Sequence, residues 1–177
     1  MSIETLSQAF LNTVKNHVKP DMLRVKKDGK YTDISTGEFC AEVRAIAAGL
    51  RGIGVKHGDK IIIFSENRPE WVMTDEASLC QGAVPVPIYT SVMSEPVKYI
   101  INNSDARFVI VSGQALLDKV MIVRAELPNI ERIISFDPVN TPGVMLFTEL
   151  KALGRDLAAK DPEAFDKAAL AVQPDDL

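Results

Sequence analysis

The chain has 177 residues, of which 46% are hydrophobic, and a formal net charge of −4 at pH 7. A chain of this size buries about 70% of its unfolded surface, which argues against intrinsic disorder. The chain is mildly acidic and its basic residues form no stripe, which argues against a nucleic-acid-binding protein. No apolar run approaches the roughly 20 residues of a membrane span, and the N-terminus lacks a signal peptide's basic start, so we expect a cytoplasmic protein.

An amphipathic helix is predicted within the first 18 residues, because Leu6, Phe10 and Val14 recur at every fourth position. A β-hairpin is predicted next. Two five-residue segments flank Asp28-Gly29, and an Asp-Gly pair favours a tight turn between strands. We expect this hairpin to pack beside the main sheet or on its edge.

The following segment is a helix, a buried strand and the start of another helix. Ser35 and Glu38 form a capping box, and the apolar face behind them runs to Gly52, the predicted end of the helix. The composition of Lys60–Phe64 is that of a buried strand. Asn67 is the predicted N-cap of the next helix.

The same alternation of strand and helix continues through the middle of the chain. One helix is predicted with Ser94 as its cap, and another is predicted to begin near Leu116. After a proline-containing loop, two further helices are expected over 147–159 and 161–171, the second with Asp161 as its cap. The remaining predicted strands are Ala83–Ile88, Arg107–Val111 and Glu131–Phe136.

This alternation defines the fold class. Strands that are joined by helical crossovers run parallel, and their continuous apolar runs indicate that both faces of the sheet are covered. The sequence therefore predicts an α/β fold with a doubly wound, mostly parallel sheet and helices on both faces. The N-terminal helix and the β-hairpin are additions to it.

Chemistry in such a sheet is expected at the carboxyl ends of its strands. There, Tyr89, Thr90 and Ser91 follow a predicted strand with an aromatic ring and three hydroxyl groups, and they are the candidate substrate-binding residues. The alternative for these three is ordinary turn and cap chemistry. Glu66 and Arg68 are read as a surface ion pair.

Several common uses of this architecture are excluded. The strand ends carry Ser65, Tyr89 and Ser112, where a receiver domain needs an aspartate. Neither the dinucleotide-binding Gly-x-Gly-x-x-Gly nor the phosphate-binding Gly-x-x-x-x-Gly-Lys-Ser/Thr is present. Cys40 and Cys80 are isolated and are read as buried small side chains, so no metal site is predicted.

The motifs of this chain, taken together and in order, resemble the N-terminal region of long-chain fatty-acid–CoA ligases. These enzymes belong to the AMP-forming adenylating enzymes. Each motif alone is weak, but their order and spacing are specific. They are Gly54-Val55-x-x-Gly58-Asp59, Asn67-Arg68-Pro69-Glu70-Trp71, Asp75, the segment Gly82–Ser91, Tyr99–Ser104 and Phe108–Val111.

The resemblance implies a reaction and its cofactors. In the whole enzyme a fatty carboxylate attacks the α-phosphate of Mg-ATP, pyrophosphate leaves, and the thiol of CoA then displaces AMP. The family's glycine-rich phosphate loop follows a segment like Pro174-Asp175-Asp176-Leu177, where this sequence ends. We therefore expect residues 1–177 to be a truncated N-terminal subdomain that is inactive alone, carries no catalytic residue of the family and binds no cofactor.

The implied partners follow from the same resemblance. They are the remainder of the chain, a long-chain fatty acid in the whole enzyme, a peripheral membrane contact and a second copy, but not nucleic acid. Two other functions stay open, namely another adenylating enzyme such as a fatty acyl-AMP ligase, and a non-enzymatic α/β binding module. Trp71 is expected to anchor its helix against the sheet.

Overall fold

The computed structural model describes residues 3–176, so Met1, Ser2 and the last residue of the Pro174–Leu177 motif lie outside the described residues. The helices are α1 (Leu6–Asn16), α2 (Thr36–Gly52), α3 (Pro69–Leu79), α4 (Ser94–Asn103), α5 (Gln114–Ile122), α6 (Phe147–Lys160) and α7 (Ala164–Ala171), with a 3₁₀ turn at Arg124–Glu126. The strands are β1 (Leu23–Lys27), β2 (Lys30–Ile34), β3 (Lys60–Phe64), β4 (Val84–Ile88), β5 (Phe108–Val111), β6 (Arg132–Ser135) and β7 (Met145–Leu146).

The main sheet has five strands in the order β4-β3-β5-β6-β7. Every pairing in it is parallel, with Ile62 opposite Val86 on one side and Val109 on the other. The doubly wound parallel sheet predicted from the sequence is therefore confirmed. The two-residue strand β7 was not predicted, because Met145 and Leu146 are too short a run to stand out from the adjoining helix.

Successive residues of the strands feed two separate cores, one on each face of the sheet. Ile61, Phe108 and Ile110 belong to the first core, which helices α1, α2, α3, α6 and α7 cover. Ile62 and Val109 belong to the second core, which helices α4 and α5 cover. A strand residue points to the face opposite its neighbour's, so strands with apolar residues at consecutive positions require helices on both sides.

The β-hairpin forms its own two-stranded antiparallel sheet and does not extend the main one. Asp28 and Gly29 have φ angles of 50° and 77°, the left-handed conformation that the turn predicted from the sequence requires. The sequence left two positions open for the hairpin, and the position on the edge of the main sheet is wrong. The hairpin lies beside the sheet, where Leu23 and Ile34 pack against the first core.

Of two predicted helix boundaries, one is confirmed and one is displaced by a proline. Gly52 is the last residue of α2, as predicted, and a Cβ atom there would come within 2.6 Å of Leu157 in α6. The N-cap of α3 is Arg68, not Asn67. Pro69 forces the residue before it into an extended conformation, which moves the cap by one position.

The other two predicted caps are also displaced along the chain. Met93, not Ser94, is the last extended residue before α4. Asp161 belongs to a turn in which its carbonyl accepts a hydrogen bond from the Ala164 N–H at 3.3 Å, so Glu163 becomes the N-cap of α7. Sequence patterns thus placed the helices correctly, predicted the Ser35–Glu38 capping box of α2, and placed the other three caps to within two positions.

Candidate functional site

The strand order is the 2-1-3-4-5 order of doubly wound sheets, and it creates a switch point between β3 and β5. After β3 the chain passes to α3, whose Met73 and Ala77 lie in the first core. After β5 it passes to α5, whose Leu116 and Leu117 lie in the second core. The two loops diverge to opposite faces, so the carboxyl ends of β3 and β5 leave a crevice between them.

Arg68 is the central side chain at this edge of the sheet. Its two terminal nitrogens donate to the two carboxylate oxygens of Asp137 at 3.0 and 2.9 Å, and its Nε donates to Glu70 at 2.8 Å. The guanidinium carbon also lies 5.4 Å from the ring centre of Phe136. Arg68 therefore joins the loop after β3 to the loop after β6.

The ion pairs around Arg68 act on the pKa values of the groups that form them. The hydrogen bonds that Arg68 donates to Asp137 outweigh partial burial and raise the pKa of the Arg68 guanidinium further above its ordinary value. Partial burial opposes ionisation of Glu70, but the hydrogen bond and charge of Arg68 outweigh it and lower the pKa of that carboxyl. The carboxyl groups of Glu70 and Asp137 thus surround the single guanidinium of Arg68.

The loop after β5 approaches the same cluster through Gly113. A Cβ atom at Gly113 would lie 3.5 Å from both Cβ and Oδ2 of Asp137, an ordinary contact distance. The Ser135 hydroxyl donates to the Asp137 carbonyl at 2.7 Å, and the Gln114 side chain accepts from the Asn140 N–H at 3.0 Å. The loops after β3, β5 and β6 are thus tied into one polar edge.

A groove of about 830 Å³ lies beside this cluster, between the β-hairpin and the start of α3. Its apolar floor includes Val25, Ile34 and Met73. Two of its cations have nearby anions, since Arg68 contacts Asp137 and Glu70, and Lys151 donates to Glu42 at 2.7 Å. A groove with such internally paired charges has little to offer a highly charged ligand.

The residues predicted for substrate binding lie at the end of the edge strand β4. Tyr89 is 85% exposed, and Ser91 is exposed as well. The ammonium of Lys119 donates to the backbone carbonyls of Thr90 at 2.7 Å and Val92 at 3.0 Å, which holds this loop against α5. None of Tyr89, Thr90 and Ser91 lines the 830 Å³ groove, and their role in binding stays a prediction.

Sequence reasoning missed two residues that organise this edge, Asp137 and Lys119. Asp137 lies two residues after the end of strand β6, so the rule that strand ends carry function would have found it. Lys119 lies within α5, and nothing in its sequence pattern indicates a contact with a loop 27 to 29 residues earlier. Arg68, predicted as one half of a surface pair with Glu66, contacts that residue only at 3.8 Å and prefers Asp137.

Two properties of the described residues bear on the class of site. Within residues 3–176, no group of three or more histidine, cysteine or acidic side chains is arranged to hold a metal ion. Among the helices of that same range, none has the length and apolar character needed to cross a membrane. Both cysteines are free thiols, Cys80 buried and Cys40 partly exposed.

Comparison with known sequences finds a match to one family along nearly the whole chain. The family described as AMP-binding enzyme matches residues 13–177. The chain is 34% identical over 107 residues to the long-chain-fatty-acid–CoA ligase FadD15 of Mycobacterium bovis, covering 60% of this chain and 18% of that protein. It is 31% identical over 137 residues to the peroxisomal long chain acyl-CoA synthetase 7 of Arabidopsis thaliana, covering 75% and 19%. The chain thus spans about a fifth of the length of these relatives.

Comparison with solved structures gives the same fold. The acetoacetyl-CoA synthetase of Streptomyces lividans superposes with a TM-score of 0.74 at 19% identity, covering 84% of this chain and 25% of that one. The anthranilate CoA ligase AuaEII in complex with anthranoyl-AMP gives 0.70 at 20% identity, covering 84% and 27%. At these identities the match establishes the architecture and leaves the substrate open.

Proposed function

The chain belongs to the AMP-binding enzyme family, and from this premise we propose that it is the N-terminal scaffold portion of a long-chain fatty-acid–CoA ligase. In the whole enzyme the fatty carboxylate attacks the α-phosphate of ATP and pyrophosphate leaves. The CoA thiol then attacks the acyl carbon, AMP leaves, and the thiol proton is released. The names of the relatives that match most of this chain's length support this substrate class.

The observation that carries the scaffold assignment is the charge arrangement at the switch point. A site for Mg-ATP has to neutralise about four negative charges with donors, cations and a metal-holding carboxylate. Arg68, the cation that joins the loops after β3 and β6, is already surrounded by Glu70 and Asp137. These residues do not fit a triphosphate, so we assign no catalytic step to them and no ATP, Mg²⁺ or CoA site to the described part of the chain.

The work of this portion is instead to hold an edge of the sheet rigid. Catalysis of adenylation depends on placing reactants and on preorganised charge, and both need a fixed frame. The Arg68–Asp137 fork connects the ends of β3 and β6, and Lys119 fixes the loop after β4. We assign these contacts the role of keeping the carboxyl edge in register with the rest of the ligase.

The test compares the complete enzyme encoded by the source gene with the 177-residue chain. The complete enzyme is assayed for pyrophosphate exchange and for CoA-dependent release of AMP with a long-chain fatty acid. Both activities are expected. Exchange without CoA-dependent turnover would favour a fatty acyl-AMP ligase, and absence of both would overturn the proposal.

The 177-residue chain is tested in parallel by calorimetry with Mg-ATP and by the same exchange assay. Neither useful ATP affinity nor exchange above a no-protein control is expected. Micromolar binding that is lost when Tyr89, Thr90 and Ser91 are changed to Ala would contradict the scaffold role. It would instead establish the end of β4 as a binding site.

A further inference from the structure

A groove of about 720 Å³ lies between three of the helices that cover the first face of the sheet. This helical groove is bounded by α1, the first half of α2 and α7. Among the described residues, no strand lines it, and none of its lining residues belongs to the 830 Å³ groove beside Arg68. Volumes of roughly 300–1,000 Å³ are typical of sites for small organic ligands. The helical groove is therefore large enough for a ligand of its own.

The walls of the helical groove are apolar and partly open to solvent. They are formed by Leu11 and Val14 of α1, by Val18 in the segment after α1, and by Leu170 of α7. Val18 is 73% exposed and Leu170 is 46% exposed. Covering exposed apolar surface is favourable by roughly 25 cal/mol per Å². These walls therefore favour a ligand with an apolar body.

One end of the helical groove carries unpaired donors. The carboxyl end of α1 meets the amino end of α2 there, since the Lys19 N–H donates to the Thr36 hydroxyl and the Thr36 N–H donates to the Lys19 carbonyl, both at 2.9 Å. Lys15 in the last turn of α1 and Gly37 in the first turn of α2 line this end. Within residues 3–176, neither the Lys15 ammonium nor the Gly37 N–H has a hydrogen-bond partner. Both groups favour an anion.

The other charges on the helical groove compensate each other. Arg44 donates to Asp166 at 2.6 Å, and its guanidinium carbon lies 4.6 Å from the ring centre of Phe165. One positive charge, that of Lys15, is therefore left over on the lining. Arg44 lies about 12 Å from Thr36 along α2, at roughly 1.5 Å per residue. The groove thus has a cationic end and an apolar body of about that length.

We propose that the helical groove binds a long-chain fatty carboxylate. The carboxylate accepts hydrogen bonds from the Lys15 ammonium and the Gly37 N–H, and the alkyl chain covers Leu11, Val14 and Leu170. The single excess cation matches a ligand with one negative charge. A polyphosphate needs several cations, and an uncharged lipid leaves the Lys15 ammonium without a counter-charge. The inference does not rest on the proposed function, because neither ATP nor CoA takes part in this binding.

Cys40 supplies a reporter for the experiment that tests this site. It lines the helical groove and is partly exposed, whereas Cys80 is fully buried and serves as the internal control. The rate at which N-ethylmaleimide alkylates Cys40 is measured by peptide mass spectrometry in the full-length protein without ATP. Myristate, below its critical micelle concentration, is the probe. Hexanoate lacks the long chain and tetradecanol lacks the charge, and both are compared with myristate.

Two variants test the two halves of the site. Ala41→Trp fills the helical groove from an exposed position of α2, and Lys15→Gln removes the cation. Ala159→Trp, at an exposed position of α6 outside the groove, is the matched control. Equilibrium dialysis with radiolabelled myristate measures binding independently of the thiol, and thermal melts identify any variant that fails to fold.

We expect saturating myristate to slow the alkylation of Cys40 about tenfold, hexanoate to have no effect, and tetradecanol to require about tenfold higher concentration. Lys15→Gln should weaken the binding of myristate about tenfold, the loss of one charge-assisted contact. Ala41→Trp should remove one equivalent of bound myristate per chain, and Ala159→Trp should remove none.

Three results would overturn the proposal, namely no protection by myristate, protection by tetradecanol at the same concentration, and unchanged binding of myristate in Ala41→Trp. A fourth would be protection of Cys40 that appears without myristate and grows with protein concentration. That result would show that another protein surface covers the helical groove.

Discussion

The two faces of the sheet are built from alternate residues of the same strands, yet they are packed in different ways. On the first face α2 and α6 approach so closely that Gly49 and Gly154 are the contact points. Aromatic rings fill the space around them, with Phe136 and Phe147 edge to face at 4.7 Å. On the second face α4 and α5 form a single layer, and its core is aliphatic apart from Phe64.

This difference means that the two faces should respond to opposite kinds of substitution. Where backbones touch, as between Ala45 and Gly154, an added atom has nowhere to go. Where branched side chains interdigitate, as around Leu117, a removed atom leaves a cavity. The first face should therefore be destabilised most by added atoms, because its helix backbones touch. The second face should be destabilised most by removed atoms, because they leave a cavity.

The largest effect is expected for Gly154→Ala on the first face. Its Cβ atom would lie 1.8 Å from the carbonyl oxygen of Ala45, so α2 and α6 have to move apart. We expect a loss of about 4 kcal/mol in the free energy of unfolding, measured by urea denaturation. Gly37→Ala is the matched control, since the nearest atom lies 4.0 Å away and alanine favours the helix by about 0.5–1 kcal/mol. Equal stability of the two variants would refute the close-approach argument.

A somewhat smaller loss is expected for Leu117→Ala on the second face. The side chain is fully buried in the aliphatic core, and removal of three carbons from such a site costs about 3 kcal/mol. Met121, one turn further along α5, is 38% exposed, so Met121→Ala should cost less than about 0.5 kcal/mol. A loss below 1 kcal/mol for Leu117→Ala would mean that this face tolerates cavities and that the comparison of the faces is wrong.

The substitution of Trp71 tests whether this residue contributes to the packing on the first face of the sheet. The sequence predicted that it anchors α3 against the sheet, but it is only partly buried and does not belong to either core of the described residues. We expect Trp71→Ala to cost about 2 kcal/mol, below the 3–5 kcal/mol of a buried ring. A chemical melt that gives 4 kcal/mol or more would restore the anchoring role. A change under 1 kcal/mol would leave Trp71 available for a partner.

The sequence predicted the sheet well because its signals are local. Strands such as Lys60–Phe64 are uninterrupted apolar runs between helix caps, and that pattern alone requires cover on both faces. Gly52 shows the limit. As a glycine after an apolar helical face it predicts the helix end that the structure has, but the sequence does not show its close approach to Leu157, 105 residues later in the chain. No local pattern contains that information.

The candidate site was less predictable for the same reason. Arg68 was noticed, but its fork with Asp137 joins loops 69 residues apart and depends on the strand order. Tyr89, Thr90 and Ser91 were chosen from their residue types at a strand end, and nothing in the structure decides their role. Asp137 shows that the rule for strand ends has to be applied to every strand, including one followed by an irregular loop.

The smallest effect concerns Glu76, a carboxylate on α3 at the margin of the first face. Burial, together with the charge of Asp75, raises the pKa of the Glu76 carboxyl to about 7. In the unfolded chain the same group titrates near its ordinary value of 4.5. Between these two values the folded state holds a proton that the unfolded state has lost, so the free energy of unfolding falls as pH rises from about 4.5 to 7.

This rise in the pKa of Glu76 corresponds to a change of about 3 kcal/mol in the free energy of unfolding. Because the carboxylate is partly exposed, we expect about 1–2 kcal/mol. Glu76→Gln removes the titration, so the variant should be more stable than the parent chain by that amount at pH 8 and nearly equal to it at pH 4. Asp75→Asn is the matched control, because it removes the neighbouring charge and should shift the pH dependence of Glu76 to lower pH. Urea denaturation at a series of pH values measures all three proteins. If the free energy of unfolding depended on pH in the same way for the parent chain and for Glu76→Gln, Glu76 would be fully hydrated. The margin of the first face would then exclude water no better than the margin of the second face.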